Sequence, residues 1–262
     1  MPQPVPLGRH ESSVSLSEQA YQLIRDRILR GTLPLGAVLS RRKLAGEFGM
    51  SFLPVSEALQ RLENEELVES RPRVGTRVRI PAADEVLDRY ILREAVESQS
   101  ARLCAERATL QEHLELRRMA EQMDLLFARC GPDNNDRDFL YSVQTFHFQL
   151  HMRIAEYARS EVLRLAIEKN QVLVFNWLYD TAAERRELPP NFHYTLIDAI
   201  CSGDVLRADQ TMRDHIRFGV EAVVSAVHDL EGTMDPQWRL KRAPRPYRPI
   251  QPPSTTTMEP LT

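Results

Sequence analysis

Residues 41–62, RRKLAGEFGMSFLPVSEALQRL, hold two short helical patterns separated by a turn of three or four residues. That spacing is the helix-turn-helix spacing, and it leaves the segment few other ways to fold. Leu44, Ala45 and Phe48 form the apolar stripe of the first helix, Gly49 can adopt the left-handed backbone that ends it, and Ser51 stands where a cap for the next belongs. Pro54 falls in the first turn, where a missing N–H costs little. Val55, Ala58, Leu59 and Leu62 recur on one face and leave Phe52, Leu53, Ser56 and Gln60 outward, the arrangement of a helix that enters a major groove.

The flanks extend the pattern. Leu16, Ala20, Leu23, Ile24 and Ile28 predict an amphipathic helix ending near Gly31, and Pro34-Leu35-Gly36 turns the chain toward Leu39. Downstream, 67–70 and 76–80 read as two short strands joined by 71–75, a basic two-stranded wing. From Ser13 to Ile80 there are 11 Lys plus Arg against 8 Asp plus Glu, whereas 81–232 hold 17 against 26, so a near-neutral whole conceals a basic and an acidic half. Arg41, Arg42 and Lys43 open the second helix, and Arg71, Arg73 and Arg77 line the wing beside Gly75, where phosphate would be met. An excess this modest predicts weak binding by a monomer and therefore a homodimer on double-stranded DNA.

Residues 14–80 resemble the winged helix of GntR-type bacterial transcription regulators. The resemblance rests on 31-GTLPLG-36, 44-LAGEFGMS-51, 54-PVSEAL-59 and Gly75-Thr76, in register. Common members carry Arg-Thr after the capping Ser and Arg after Pro-Val, where this chain has Phe52-Leu53 and Ser56. The departure implies fewer guanine contacts and more shape or thymine-methyl readout.

The length of 262 residues allows two domains, and 42% hydrophobic with 27% charged residues is ordinary for a globular protein. No apolar run approaches membrane-span length and the N-terminus lacks a secretory core, so the expected setting is the cytoplasm, away from any membrane. Cys104, Cys130 and Cys201 are widely spaced and read as thiols. Residues 1–12 and the Pro-rich 233–262 read as disordered ends around a DNA-binding domain at 13–80 and a helical domain at 81–232. The fold class is mainly α: a winged helix-turn-helix followed by an all-α bundle of six or seven helices, broken at 131–135 and 187–191, with Gly203 and Asp204 ending one helix and capping another. Leu87, Tyr90, Ile91, Leu110, Leu114 and Met119 mark its early stripes.

His147 and His151 are i and i+4 on one helix, so both imidazoles project from one face and can chelate one metal. With His193 and His215 on later helices, residues 83–230 resemble the FadR-type C-terminal effector domain, FCD. In many members an Asp-x-x-x-His pair and two later histidines bind a divalent metal. The resemblance implies that His193 and His215 are ligands, and that His151 takes the paired His position with His147 replacing the Asp; in the rival alignment His147 takes it and Val143 leaves a ligand missing. Four imidazoles favour a transition metal, Zn²⁺ first and Ni²⁺ next, and leave it a full double charge that attracts a small organic acid effector; the alternative is a closed structural site, for which four ligands are enough, that only ties helices together. Arg93, four residues before Glu97 as in the family's Arg-x-x-x-Glu, would be the second clamp.

Two other function classes are weighed against a ligand-responsive regulator. A metal-dependent hydrolase lacks the His-Glu-x-x-His, Gly-x-Ser-x-Gly and phosphate-loop signatures and leaves the winged helix without a task, so no catalytic residue is assigned. A helical interaction protein would use Phe52 and Leu53 as a partner surface, and DNA affinity separates it from the regulator.

Overall fold

The computed structural model describes residues 14–130, 136–180, 188–233 and Trp238. Helix α1 (Leu16–Leu29) starts at Ser15, whose hydroxyl accepts from the Glu18 N–H at 3.1 Å. It buries Ala20, Tyr21, Ile24 and Ile28, while Leu16 and Leu23 are exposed, so the stripe is narrower than the periodicity predicts. Tyr21 fixes α1 to the helix after next: its hydroxyl donates to Glu65 at 2.7 Å, and the Arg61 guanidinium lies 3.6 Å from its ring centroid.

Helices α2 (Arg41–Phe48) and α3 (Phe52–Asn64) meet at Gly49, which takes φ 63°. Ser51 occupies the cap position of α3, but its side chain makes no capping hydrogen bond. Val55, Ala58, Leu59 and Leu62 are buried against the core, as the spacing requires. Strands β2 (Val68–Arg71) and β3 (Gly75–Val78) form an antiparallel hairpin that pairs Val68 with Val78 and Arg71 with Gly75. A further strand, β1 (Val38–Leu39), joins on the other side of β3, giving the order β1-β3-β2. Two residues are too few to show a period of two in sequence, and β1 was not expected.

Seven helices follow among the described residues: α4 (Ala83–Arg107), α5 (Leu110–Ala128), α6 (Arg137–Tyr157), α7 (Glu161–Asp180), α8 (Phe192–Cys201), α9 (Val205–Phe218) and α10 (Val220–Thr233). Helix α4 packs against α6, α7, α8, α9 and α10, which places its middle at the centre of the domain. Buried α5 residues are Leu116, Ala120 and Met123; Leu110, Leu114 and Ile91 of α4 are exposed, against the early stripes expected. Thr109 and Glu112 form a capping box at α5, and the Asp204 carboxylate caps α9 through Leu206 and Arg207 N–H, each at 3.0 Å. Gly203 before it takes φ 75°.

The break expected at 131–135, part of that at 187–191, residues 1–12 and most of 233–262 lie outside the described residues. Ion pairs Arg79–Glu85 at 2.8 Å and Arg89–Glu66 at 2.6 Å, with Arg137 donating to the Gly31 carbonyl at 3.0 Å, tie the helical domain to the winged helix. Among the described residues, no helix is long and apolar enough to cross a membrane.

Candidate nucleic-acid interface and metal centre

Helix α3 begins with an outward pair, Phe52 at 58% and Leu53 at 65% exposure, with Gln60 exposed two turns on and Ser56 half-buried. The Ser56 hydroxyl donates to the Phe52 carbonyl at 3.0 Å, so it is occupied locally. Ser51, Arg42 and Lys43 are exposed on the same helix pair. Beyond them the wing turn 72–74 closes a hairpin in which Arg73, exposed, holds φ 64°. Arg41, Arg71, Pro72, Arg73 and Gly75 line an open cleft of about 620 Å³ between α2 and the wing. Three guanidiniums around one concavity suit a phosphate backbone.

Arg77 departs from the expected duplex contact. It is 4% exposed, its Nε donates to Glu69 at 2.8 Å, and its guanidinium lies 4.2 Å from the ring centroid of Trp238. The reason is topological: β3 is the middle strand, and a side chain far off in sequence covers its outer face. Arg71 is partly withdrawn by the same residue, donating from Nη2 to the Trp238 carbonyl at 2.9 Å.

In the helical domain, α6 and α9 bring three imidazoles together. The Nε2 atoms of His147, His151 and His215 form a triangle with sides of 3.1, 3.2 and 3.3 Å. Tetrahedral ligands with Zn–N bonds of about 2.0–2.1 Å lie about 3.3–3.4 Å apart, so the triangle is close to a set of three metal ligands. Val143, of the rival alignment, is buried a turn earlier on α6, and the i, i+4 pair that converges is His147 with His151. His193 stands outside the triangle, its ring 5.0 Å from His147 and 5.3 Å from His215 between centroids. Phe192 stacks on His215 and Phe127 on His193, holding both rings from the side.

Burial drives His147 and His215 well below the ordinary imidazole value, and the neighbouring imidazoles and Arg93 push the same way. Burial also lowers His151, opposed by Glu97. The rings are therefore neutral near pH 7, with lone pairs available. Glu97 makes the tautomer of His151 definite. Its carboxylate is 2% exposed and hydrogen-bonds His151 Nδ1, which leaves His151 Nε2 as an acceptor inside the triangle. Burial would raise the Glu97 pKa, but the charge of Arg93 and the hydrogen bonds from His151 and Arg93 bring it to about 2. The His215 Nδ1 atom is buried without a hydrogen-bond partner.

Two further residues support this cluster. Glu97, read in the sequence only as the motif partner of Arg93, is one; Asp124 on α5, which the sequence reading missed, is the other, accepting from His193 Nδ1 at 2.7 Å and from the backbone N–H groups of His193 and Tyr194 at 3.0 Å each. Arg93, expected as an effector clamp, is buried and tied through Nε to Glu97 at 2.7 Å. An acid reaching it would share the guanidinium with a buried carboxylate.

Comparison with known proteins agrees with both halves. Residues 16–78 match the family model "Bacterial regulatory proteins, gntR family", and residues 88–218 match the FCD domain. The chain is 31% identical over 229 residues to the "Probable D-xylose utilization operon transcriptional repressor" of Paenarthrobacter nicotinovorans, covering 81% of this chain and 95% of that one. It is 24% identical to the "HTH-type transcriptional repressor RspR" of Escherichia coli K12, over 79% of this chain and 89% of that protein. A crystal structure of a GntR transcriptional regulator from Rhodococcus sp. RHA1 has the same fold, with TM-score 0.65, 21% identity and coverage of 80% and 98%. These relatives are regulators and not enzymes. With a winged helix-turn-helix, an all-helical second domain and these matches, the chain belongs to the GntR family of DNA-binding transcription regulators and carries an FCD domain.

Proposed function

We propose that this regulator binds operator DNA as a homodimer in the cytoplasm, and that its helical domain senses a small organic acid through a divalent transition metal, Zn²⁺ first and Ni²⁺ next. The observation that carries the reading is the triangle of three neutral imidazole nitrogens around one point. Without a cation, the acceptor fixed at His151 Nε2 can take a hydrogen bond from one neighbour while the remaining nitrogens crowd each other; a dication satisfies all three lone pairs. His193, held by Asp124, is the adjacent fourth ligand in this proposal.

Charge supports the acid. Arg93 and Glu97 cancel, the three imidazoles of the triangle are neutral, and a dication would outweigh the single negative charge of Asp124 and leave the pocket positive, so a carboxylate is the effector chemistry the site favours. On the DNA side, Arg41, Arg42, Lys43 and Arg73 meet phosphate or guanine, while Phe52 and Leu53 offer thymine-methyl contact. The two sites act on each other by linkage: an acid that favours one placement of the paired winged helices changes operator affinity by the factor that operator changes acid affinity.

The experiment is metal analysis of protein purified without chelator, followed by a thermal-shift screen of organic acids and operator titration with each stabilising acid. Stoichiometric metal, its loss in His215→Ala, and a changed operator affinity with acid are expected. Protein that holds no stoichiometric metal and gains no stability from Zn²⁺ or Ni²⁺ would overturn the metal and, with it, acid capture at the metal.

A further inference from the structure

The outer face of the wing is covered by a residue from the far end of the chain. Trp238 is 6% exposed, with its ring centroid 4.2 Å from the Arg77 guanidinium carbon and 5.2 Å from that of Arg71. Its carbonyl oxygen accepts the Arg71 Nη2 hydrogen at 2.9 Å. Two guanidiniums against one indole ring are two cation–π contacts, and Trp is the aromatic that makes them best. Trp238 lies beyond both matched spans, 16–78 and 88–218, so neither domain assignment accounts for it.

Arg71 is where the contact acquires a consequence. The same side chain lines the cleft shared by Arg41 and Arg73, on the face a duplex would meet. A guanidinium that gives one N–H to a main-chain carbonyl and lies against an indole has fewer donors left for a phosphate in the same geometry. Glu69 reinforces the seat, lying 2.6 Å from Arg77 and 3.8 Å from Arg71. Trp238 is rooted close after Thr233, the end of α10, and α10 packs on α4 and on α9, the helix of His215.

We propose that the outer face of the wing is a docking site for this chain's own Trp238, and that Trp238 and the DNA backbone compete for Arg71. Trp238 is thus a brake on duplex binding. This rests on the wing–DNA contact proposed above.

The test uses the full chain, because truncation would also remove the basic residues of 239–248 and confuse the sign. A labelled duplex of mixed sequence at low salt is the probe, since non-specific binding reports phosphate contacts. Trp238→Ala is expected to bind it about three- to tenfold tighter, with a salt dependence steeper by about one phosphate contact, and Trp238→Phe to gain less. The gain should vanish on an Arg71→Ala background.

Fluorescence supplies an independent measurement. The two tryptophans are Trp177 and Trp238, so Trp177→Phe leaves Trp238 as the reporter. In DNA-free protein it should be protected from acrylamide, and duplex should red-shift its emission and expose it to quenching. Unchanged or weaker binding by Trp238→Ala, a gain that survives Arg71→Ala, or a freely quenched Trp238 in DNA-free protein each overturns the proposal. Absence of duplex binding by wild type and variants alike would instead sink the DNA reading, and the quenching of DNA-free protein would still decide whether Trp238 is docked.

Discussion

Glu97 shows how one buried carboxylate can serve two partners. It neutralises Arg93 and fixes the tautomer of His151, so its substitutions should separate charge from shape. Glu97→Gln keeps an acceptor and removes the charge; metal affinity measured by chelator competition is expected to fall about 10- to 100-fold. Glu97→Ala leaves Arg93 buried and unpaired and should cost about 3–5 kcal/mol in denaturant unfolding. Wild-type metal affinity in Glu97→Gln would remove Glu97 from the support of the site. At the DNA face, exposed Arg42 invites the opposite pattern: Arg42→Ala should weaken operator binding by about 1–3 kcal/mol while unfolding stays within about 0.5 kcal/mol of wild type. Undiminished operator binding would sink that assignment. Phe52→Ala and Leu53→Ala should likewise spare the fold, and narrow the ratio of operator to mixed-sequence affinity in competition binding.

Turns and caps decide where the functional side chains arrive. Gly36 holds φ 81°, and a Cβ there would stand 3.1 Å from Ile80 Cδ1, so Gly36→Ala combines backbone strain with a close contact. We expect about 1–2 kcal/mol of destabilisation by chemical denaturation, from the left-handed backbone alone. Ile80→Val would not rescue that part. The cap of α9 links an element's end to the site it carries. Asp204→Ala abandons two N–H groups at the start of the helix that bears His215, with an expected cost of about 0.5–2 kcal/mol. Fraying there should also weaken metal retention, whereas metal retention equal to wild type would show that α9 is held in place by its packing on α4, α8 and α10.

Stability of the whole protein should respond to pH through His147 and His215. Their folded pKa values lie below the ordinary 6.5, so as pH falls through 6.5 the unfolded chain takes up protons that the folded chain refuses. Stability present above that value is therefore lost progressively below it, by about 1.4 kcal/mol per pH unit for each such group, and the loss ends only at the folded values. Glu97 adds a second window, from 4.5 down to about 2. Denaturant unfolding of metal-free protein at pH 7.5, 6.5 and 5.5 should show the decline, and His215→Phe should flatten it. An equal slope in the variant would mean that His215 does not carry the effect. Bound metal raises stability by mass action, and its contribution should fall in the same window because protonated imidazoles release it.

The winged helix was legible because its signals are local: a 3.6-residue stripe, a glycine at the left-handed position, a proline in a first turn. The i, i+4 pair His147 and His151 was legible for the same reason, since helix geometry alone puts both on one face. What surrounds them was not. Glu97 reaches His151 across 54 residues, Asp124 reaches His193 across 69, and Trp238 reaches Arg71 across 167. No periodicity carries such pairs; they exist only once α4 packs on α6, α5 packs on α8 and Trp238 is brought back to the wing. Arg77, read as a duplex contact, is instead covered in this structure, because charge is written in the sequence while exposure is set by what folds over it. Sequence by itself determined the winged helix-turn-helix, the helical character of the second domain and the apolar face of α3, while β1 and the buried faces of α4 and α5 escaped it. The tertiary structure decided which polar groups those faces bury together, because desolvation is a property of the assembled neighbourhood and not of the residue.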